Sequence, residues 1–207
     1  MQTDQTRRQP RQKRAVEKVS RILDAVETLV SRHGVAALTT TQVAHEAGYA
    51  VGTIYQYFGN RTALLIAAHD RMLERLTGQL AGEADRVLAD HSDDPIAALV
   101  ETYIESARSQ PGYLSLLKFV SLNKSTGDHE AATDAFAGDL ISSIVRAEIP
   151  HIDALQMRIT RTVVVGLISV LVDVVLLESD ENLRQSYQAE LVAHCTFALQ
   201  RAARQSA

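Results

Sequence analysis

The sequence contains no tryptophan, a single cysteine, and aromatic side chains at only 5% of its 207 positions. One cysteine, Cys195, excludes an internal disulfide and suits a reducing cytoplasm. Long hydrophobic runs are missing too. The longest, Val163 to Leu177, contains Asp173 and falls short of the roughly 20 apolar residues a bilayer span takes, so it reads as a buried core helix and no membrane contact is expected. The opening stretch MQTDQTRRQPRQKR has basic side chains but no apolar segment after them, and so does not read as a secretory signal. With 46% hydrophobic and 22% charged residues, the composition is that of a soluble globular protein.

Catalytic signatures are equally scarce. There is no G-x-S-x-G, no P-loop and no dinucleotide glycine fingerprint. His45-Glu46-Ala47-Gly48-Tyr49 opens like a zinc-protease motif, but Tyr49 stands where the second imidazole is needed. Asp128-His129-Glu130 sits beside an expected helix start, where capping explains it better than metal binding. Cys195 lies on a packing stripe and reads as a small buried hydrophobe. The expectation is a protein that is not an enzyme and uses neither a metal nor a cofactor.

What the chain does have is an uneven distribution of charge. The total is −4, yet residues 1–62 carry a balance of +4 and residues 63–207 one of −8. Seven basic side chains lie between Arg7 and Arg21. A basic end on an acidic body suits a polyanion bound at one pole, although on the charges alone a solvated tail is the better reading.

Helical periodicity runs throughout, with no convincing period-2 segment, so the fold class is all-α. Val16, Val19, Ile22, Leu23, Val26, Leu29 and Val30 draw one apolar stripe that ends at Gly34. Thr39-Thr-Thr-Gln42 matches a capping box opening a short helix through Ala47, and Gly48 breaks it. A second short helix covers Val51 to Tyr57, and Asn60 is a good N-cap for a long helix toward Leu88. Breaks at Pro95, Pro111-Gly112, Gly127-Asp128, Pro150 and Ser179-Asp180 divide the rest into helices near 95–109, 112–123, 129–148, 152–178 and 181–203.

The two short helices carry the functional signal. Ala44 falls where they cross, Gly48 supplies the positive φ of the turn, and Ile54 plugs the space between them over Val43 and Ala47. Small residue, glycine and branched aliphatic at this spacing make a helix-turn-helix. On the second helix, Ile54, Phe58 and Val51 share a face that must be buried. The opposite face presents Gly52 and Gln56, flanked by Thr53, Tyr55 and Tyr57. Glutamine can read a base edge, glycine admits close approach, and hydroxyls donate to phosphates.

Residues 16–66, and above all GTIYQYF followed by N-R-x-x-L-L, resemble the N-terminal domain of the tetracycline-repressor (TetR) family. The likeness covers about a quarter of the chain. It implies a homodimeric regulator, usually a repressor, whose C-terminal domain binds a small ligand and releases DNA. Matched residue by residue, it places Thr40, Tyr55 and Tyr57 on phosphates and Thr41, Val51, Gly52 and Gln56 toward bases. Arg61 would contact the DNA backbone. Ala50 departs from the usual Ser/Thr N-cap, which weakens its helix by roughly 1 kcal/mol, and Thr62 replaces a frequent glutamate.

The expected organisation is therefore a basic disordered arm (1–14), a helix-turn-helix domain (15–60) and a helical regulatory and dimerisation domain (61–207). The last two long helices resemble the family's pair that builds a four-helix bundle across a two-fold axis. Val163, Leu167, Val170, Leu171 and Val174 on one, with Leu191, Cys195 and Ala198 on the other, are the expected dimer surface. Such a dimer sets two recognition helices roughly 34–36 Å apart, or a multiple of that, which matches a palindromic double-stranded operator. Tyr103, Tyr113, Leu117, Phe119, Val120 and Phe136, with Arg161, could line a partly apolar effector pocket, although core packing suits each aromatic singly. Asp173 fits a ligand contact, a salt bridge or a solvent-facing place equally well. The rival reading keeps the DNA head on an architectural or partner-binding protein that needs no ligand.

Overall fold

The computed structural model describes residues 5–89, 94–123 and 130–206, with side chains for all of these but 5–12, 83–85, 87–89 and 130–136. Among the described residues every regular element is an α-helix: α1 (Gln5–Ala37), α2 (Thr40–Ala47), α3 (Val51–Phe58), α4 (Arg61–Ala89), α5 (Pro95–Ser109), α6 (Tyr113–Asn123), α7 (Glu130–Glu148), α8 (Ala154–Leu177) and α9 (Glu181–Ser206). The all-α expectation is met, and each helix apart from the start of α1 stands within a few residues of its sequence signals. Residues 1–4, Asp128, His129 and the Phe136 side chain lie outside the described residues. Residues 5–14, expected as a disordered arm, instead continue α1. An established helix lengthens readily, since each added residue gains a hydrogen bond without a new nucleation step.

Local chemistry accounts for the boundaries. Gly34 leaves helical geometry with φ 74° inside α1. Thr39 caps α2 through its side chain, and Gln42 returns a bond to complete the capping box. Gly48 stops α2 in the left-handed region at φ 73°. Asn60 caps α4 by accepting from the Ala63 amide at 2.8 Å. Asp94 and Asp153 do the same for α5 and α8.

The chain divides into two compact units. The first runs to Met72 and also takes in Pro111–Asn123. This differs from a boundary at residue 60: the first turns of α4 and the whole of α6 join the N-terminal helices. The reason is hydrophobic. Tyr113, Leu116, Leu117 and Val120 of α6 are buried, together with Ile22, Val26, Leu29, Val43, Ile54, Leu64 and Leu65. Gly112 lets α6 approach α1. Its φ is 85°, and a Cβ there would lie 3.1 Å from Val30 Cγ1 and 3.2 Å from the Ser31 nitrogen. The stripe on α1 is buried from Ile22 onward, whereas Val16 is exposed.

The second unit holds Leu73–Gln110 and the chain after α6. There α8 packs on α5, α7 and α9. By length and composition α8 could cross a membrane, but it carries Arg158, Arg161 and Asp173, and Val164, Val172, Val175 and Leu176 are buried in the unit. On α9, Leu191, Cys195, Leu199 and Ala202 are buried. Leu191 and Cys195, expected at a dimer surface, are therefore core residues of their own protomer: the α9 stripe that holds them is consumed by packing within the unit. Burial pushes the Cys195 thiol up to about 11, with the charge of Asp94 acting in the same direction.

Candidate nucleic-acid interface

The geometry of α2 and α3 follows from three side chains. Val43 and Ala44 are buried on α2 and Ile54 on α3, where it retains only 1% exposure. Burying the residues at one face of an eight-residue helix obliges the opposite face outward. Gly52, Tyr55 and Gln56 are accordingly exposed, while Val51, Thr53, Tyr57 and Phe58 are half-buried. On α2, Thr41 is exposed and Thr40 half-buried. Thr40 and Tyr55 meet through their hydroxyls at 3.2 Å, so the start of α2 and the middle of α3 present one continuous polar edge. Ala50 provides no side-chain cap for α3.

Arg61 stands apart from that edge. Its Nε donates to the Leu38 carbonyl at 2.8 Å and its Nη2 to the Val35 carbonyl, while the guanidinium carbon lies 5.7 Å from the centre of the Phe119 ring. Arg61, expected at the DNA backbone, is thus engaged in an internal clamp by carbonyls at the α1–α2 junction and an aromatic face.

Sequence reading missed a basic stripe. Arg14, Lys18 and Arg21 are exposed on α1, and their spacing of four and three residues sets them on one helical face. The spacing was there to read, but assigning residues up to 14 to a disordered arm removed its helical meaning. It missed as well the clamp of Arg71, whose Nε and Nη2 hold Glu27 at 2.9 and 2.6 Å and whose Nη1 lies 2.9 Å from Asp24. Nothing local marks a pair 44 residues apart.

The expected effector residues are divided between the two units. Tyr113, Leu117 and Val120 are buried in the first unit, where Phe119 touches Arg61. Tyr103, Arg161 and Asp173 belong to the second and are half-buried. Arg161 lies against α7 at Gly138, which has no Cβ to obstruct it. The second unit does carry an open groove of about 1050 Å³ between α5 and α9, lined among others by Glu101, Ile104, Arg108, Arg184, Val192 and Phe197. None of the seven expected pocket residues with described side chains lines it. Of the expected dimer surface, Val163, Val170 and Val174 are exposed, and Leu167, Leu171 and Ala198 half-buried. Leu155, Ile159 and Leu177 are exposed as well and extend the α8 stripe at both ends.

Residues 22–68 match the model of bacterial regulatory proteins of the tetR family. Over 60 residues, 29% of this chain and 28% of the relative, the sequence is 43% identical to the HTH-type transcriptional repressor KstR of Rhodococcus jostii. Over 102 residues it is 28% identical to the nucleoid occlusion factor SlmA of Actinobacillus pleuropneumoniae, covering 49% of this chain and 50% of that protein. The matches thus span between about a quarter and a half of these relatives' lengths. A TetR-family transcriptional regulator from Streptomyces coelicolor shares the fold, with a TM-score of 0.57 and 24% identity over 89% of this chain and 99% of that one. The segment that holds α2 and α3 is thus similar to the DNA-binding domain of the tetR family of bacterial regulatory proteins.

Proposed function

We propose that this chain is a cytoplasmic, sequence-specific DNA-binding regulator that acts as a homodimeric repressor and releases a palindromic operator when a small, partly apolar effector binds. The observation that carries it is the arrangement of α3: Ile54 is buried while Gly52, Tyr55 and Gln56 face outward. This is the geometry with which a recognition helix enters a major groove about 12 Å wide. Thr41, Val51 and Gln56 would face bases; Thr40, Thr53, Tyr55 and Tyr57 would fix the phosphates. The exposed row Leu155, Ile159, Val163, Val170, Val174 and Leu177 falls within an arc of about 100° on α8. A second copy of the chain covers such a row best, which supports the two-fold pairing. The relative KstR is named a repressor, which favours repression over activation.

Selection of duplexes from a random pool tests the reading: recovery of an inverted repeat supports a dimeric reader, and equal retention of selected and scrambled duplexes sinks it.

A second reading is a DNA-binding architectural or partner-binding protein without an effector. The longer match to a nucleoid occlusion factor favours it. A thermal-shift screen separates the two, because a ligand held only by the folded state raises the melting temperature as its concentration grows.

A further inference from the structure

The clamp around Arg61 ties α6 to the base of the helix-turn-helix. Gly34 ends the regular part of α1, and the next residues turn so that the Leu38 amide bonds the Val35 carbonyl at 3.2 Å. Thr39, the N-cap of α2, follows at once. The Val35 and Leu38 carbonyls sit where a helix end leaves acceptors without an intrahelical donor, and both accept from the Arg61 guanidinium. That guanidinium is in turn 5.7 Å from the ring centre of Phe119, within the range of a cation–π contact. A second ring contact joins the same helices, His69 of α4 stacking on Tyr113 of α6 with centroids 5.5 Å apart. Along α4 the partners run 61 then 69, along α6 119 then 113, so the two helices are antiparallel and Phe119 is brought to the α4 start.

We infer that Arg61 and Phe119 are positioning residues for DNA binding: they fix the α1–α2 junction, and through it the angle at which α2 and α3 are presented. The inference rests on the DNA-binding reading above. A planar fork is needed, because one cation must serve two carbonyls and an aromatic face at once. Lysine keeps the charge but not that geometry. The claim also separates Arg61 from a phosphate contact. A phosphate contact contributes about one unit to the slope of log affinity against log salt; a positioning residue contributes affinity without changing that slope.

The test uses the full chain and the duplex obtained by selection, with Phe119→Leu, Arg61→Lys and Arg61→Gln. Each variant is expected to bind about fivefold or more weakly with the wild-type salt slope. Amide exchange is expected to quicken over residues 38–58 and to stay unchanged over 22–30. An unchanged affinity for Phe119→Leu, or a slope lowered by about one in Arg61→Gln alone, overturns the inference. So does exchange that rises evenly across residues 22–72, which marks a general stabiliser. If the wild type binds no duplex specifically, the DNA reading fails; local quickening at 38–58 then still supports the junction clamp, and its absence removes the clamp too.

Discussion

Gln56 and Tyr55 owe their accessibility to Ile54 rather than to any property of their own. Both lie on the exposed side of an eight-residue helix whose opposite side is sealed. If Gln56 reads a base edge, Gln56→Ala will weaken binding by about 1–3 kcal/mol and relax selectivity at one base-pair position, as competition with single-base operator variants will reveal. If the Thr40–Tyr55 hydroxyl pair holds a phosphate, Tyr55→Phe is expected to weaken all duplexes alike. Cys195 illustrates the opposite case, a residue silenced by its surroundings. With its thiol pushed up from 9.0 to about 11, the folded protein holds the protonated form, and the thiolate stays scarce until the pH approaches 11. At pH 8 alkylation by iodoacetamide should proceed only as fast as the protein opens. Rapid labelling of the native protein counts against the burial described here.

At the scale of elements, caps and close approaches decide. The start of α3 lacks a side-chain cap at Ala50, so Ala50→Ser should raise stability by about 1 kcal/mol in denaturant unfolding. Gly112 combines a φ of 85° with atoms at 3.1 and 3.2 Å. Gly112→Ala therefore meets both backbone strain and crowding, and a loss of about 1–2 kcal/mol is expected, with α6 loosened from α1. A variant as stable as the wild type would mean that this approach is not tight. Much of this level was readable beforehand. Thr39, Gly48 and Asn60 act through bonds that span three to four residues, and such bonds are set by local spacing. The Arg61 clamp spans 23 and 26 residues, and no local pattern around Arg61 marks it, so the family resemblance alone assigned that arginine to DNA. The basic stripe of Arg14, Lys18 and Arg21 was hidden by a different error, the choice of disorder where helix continued.

For the whole molecule, the exposed face of α8 is the feature that a single copy leaves unsettled. Six large aliphatic side chains on one arc are more than scattered surface exposure explains. Placing a charge in the middle of the row, as in Val163→Glu with Val170→Glu, should convert a dimer to monomers in light scattering at micromolar concentration while the helical signal is retained. A wild-type chain already monomeric under those conditions contradicts the pairing. Leu191 and Cys195 will not answer the same question, since both are fully enclosed in their own protomer.

The order of the helices, their ends and the outward face of α3 were determined by the sequence itself. Periodicity, capping side chains and glycines act within a few residues of where they stand, and a buried Ile54 leaves α3 only one way to turn. Three things were decided by tertiary structure alone: that α6 returns to complete the N-terminal unit, that Arg61 closes on the α1–α2 junction, and that Leu191 and Cys195 face inward. Each depends on which apolar surfaces find one another across tens of residues. A stripe of hydrophobic positions shows that a face will be covered, but not which partner will cover it.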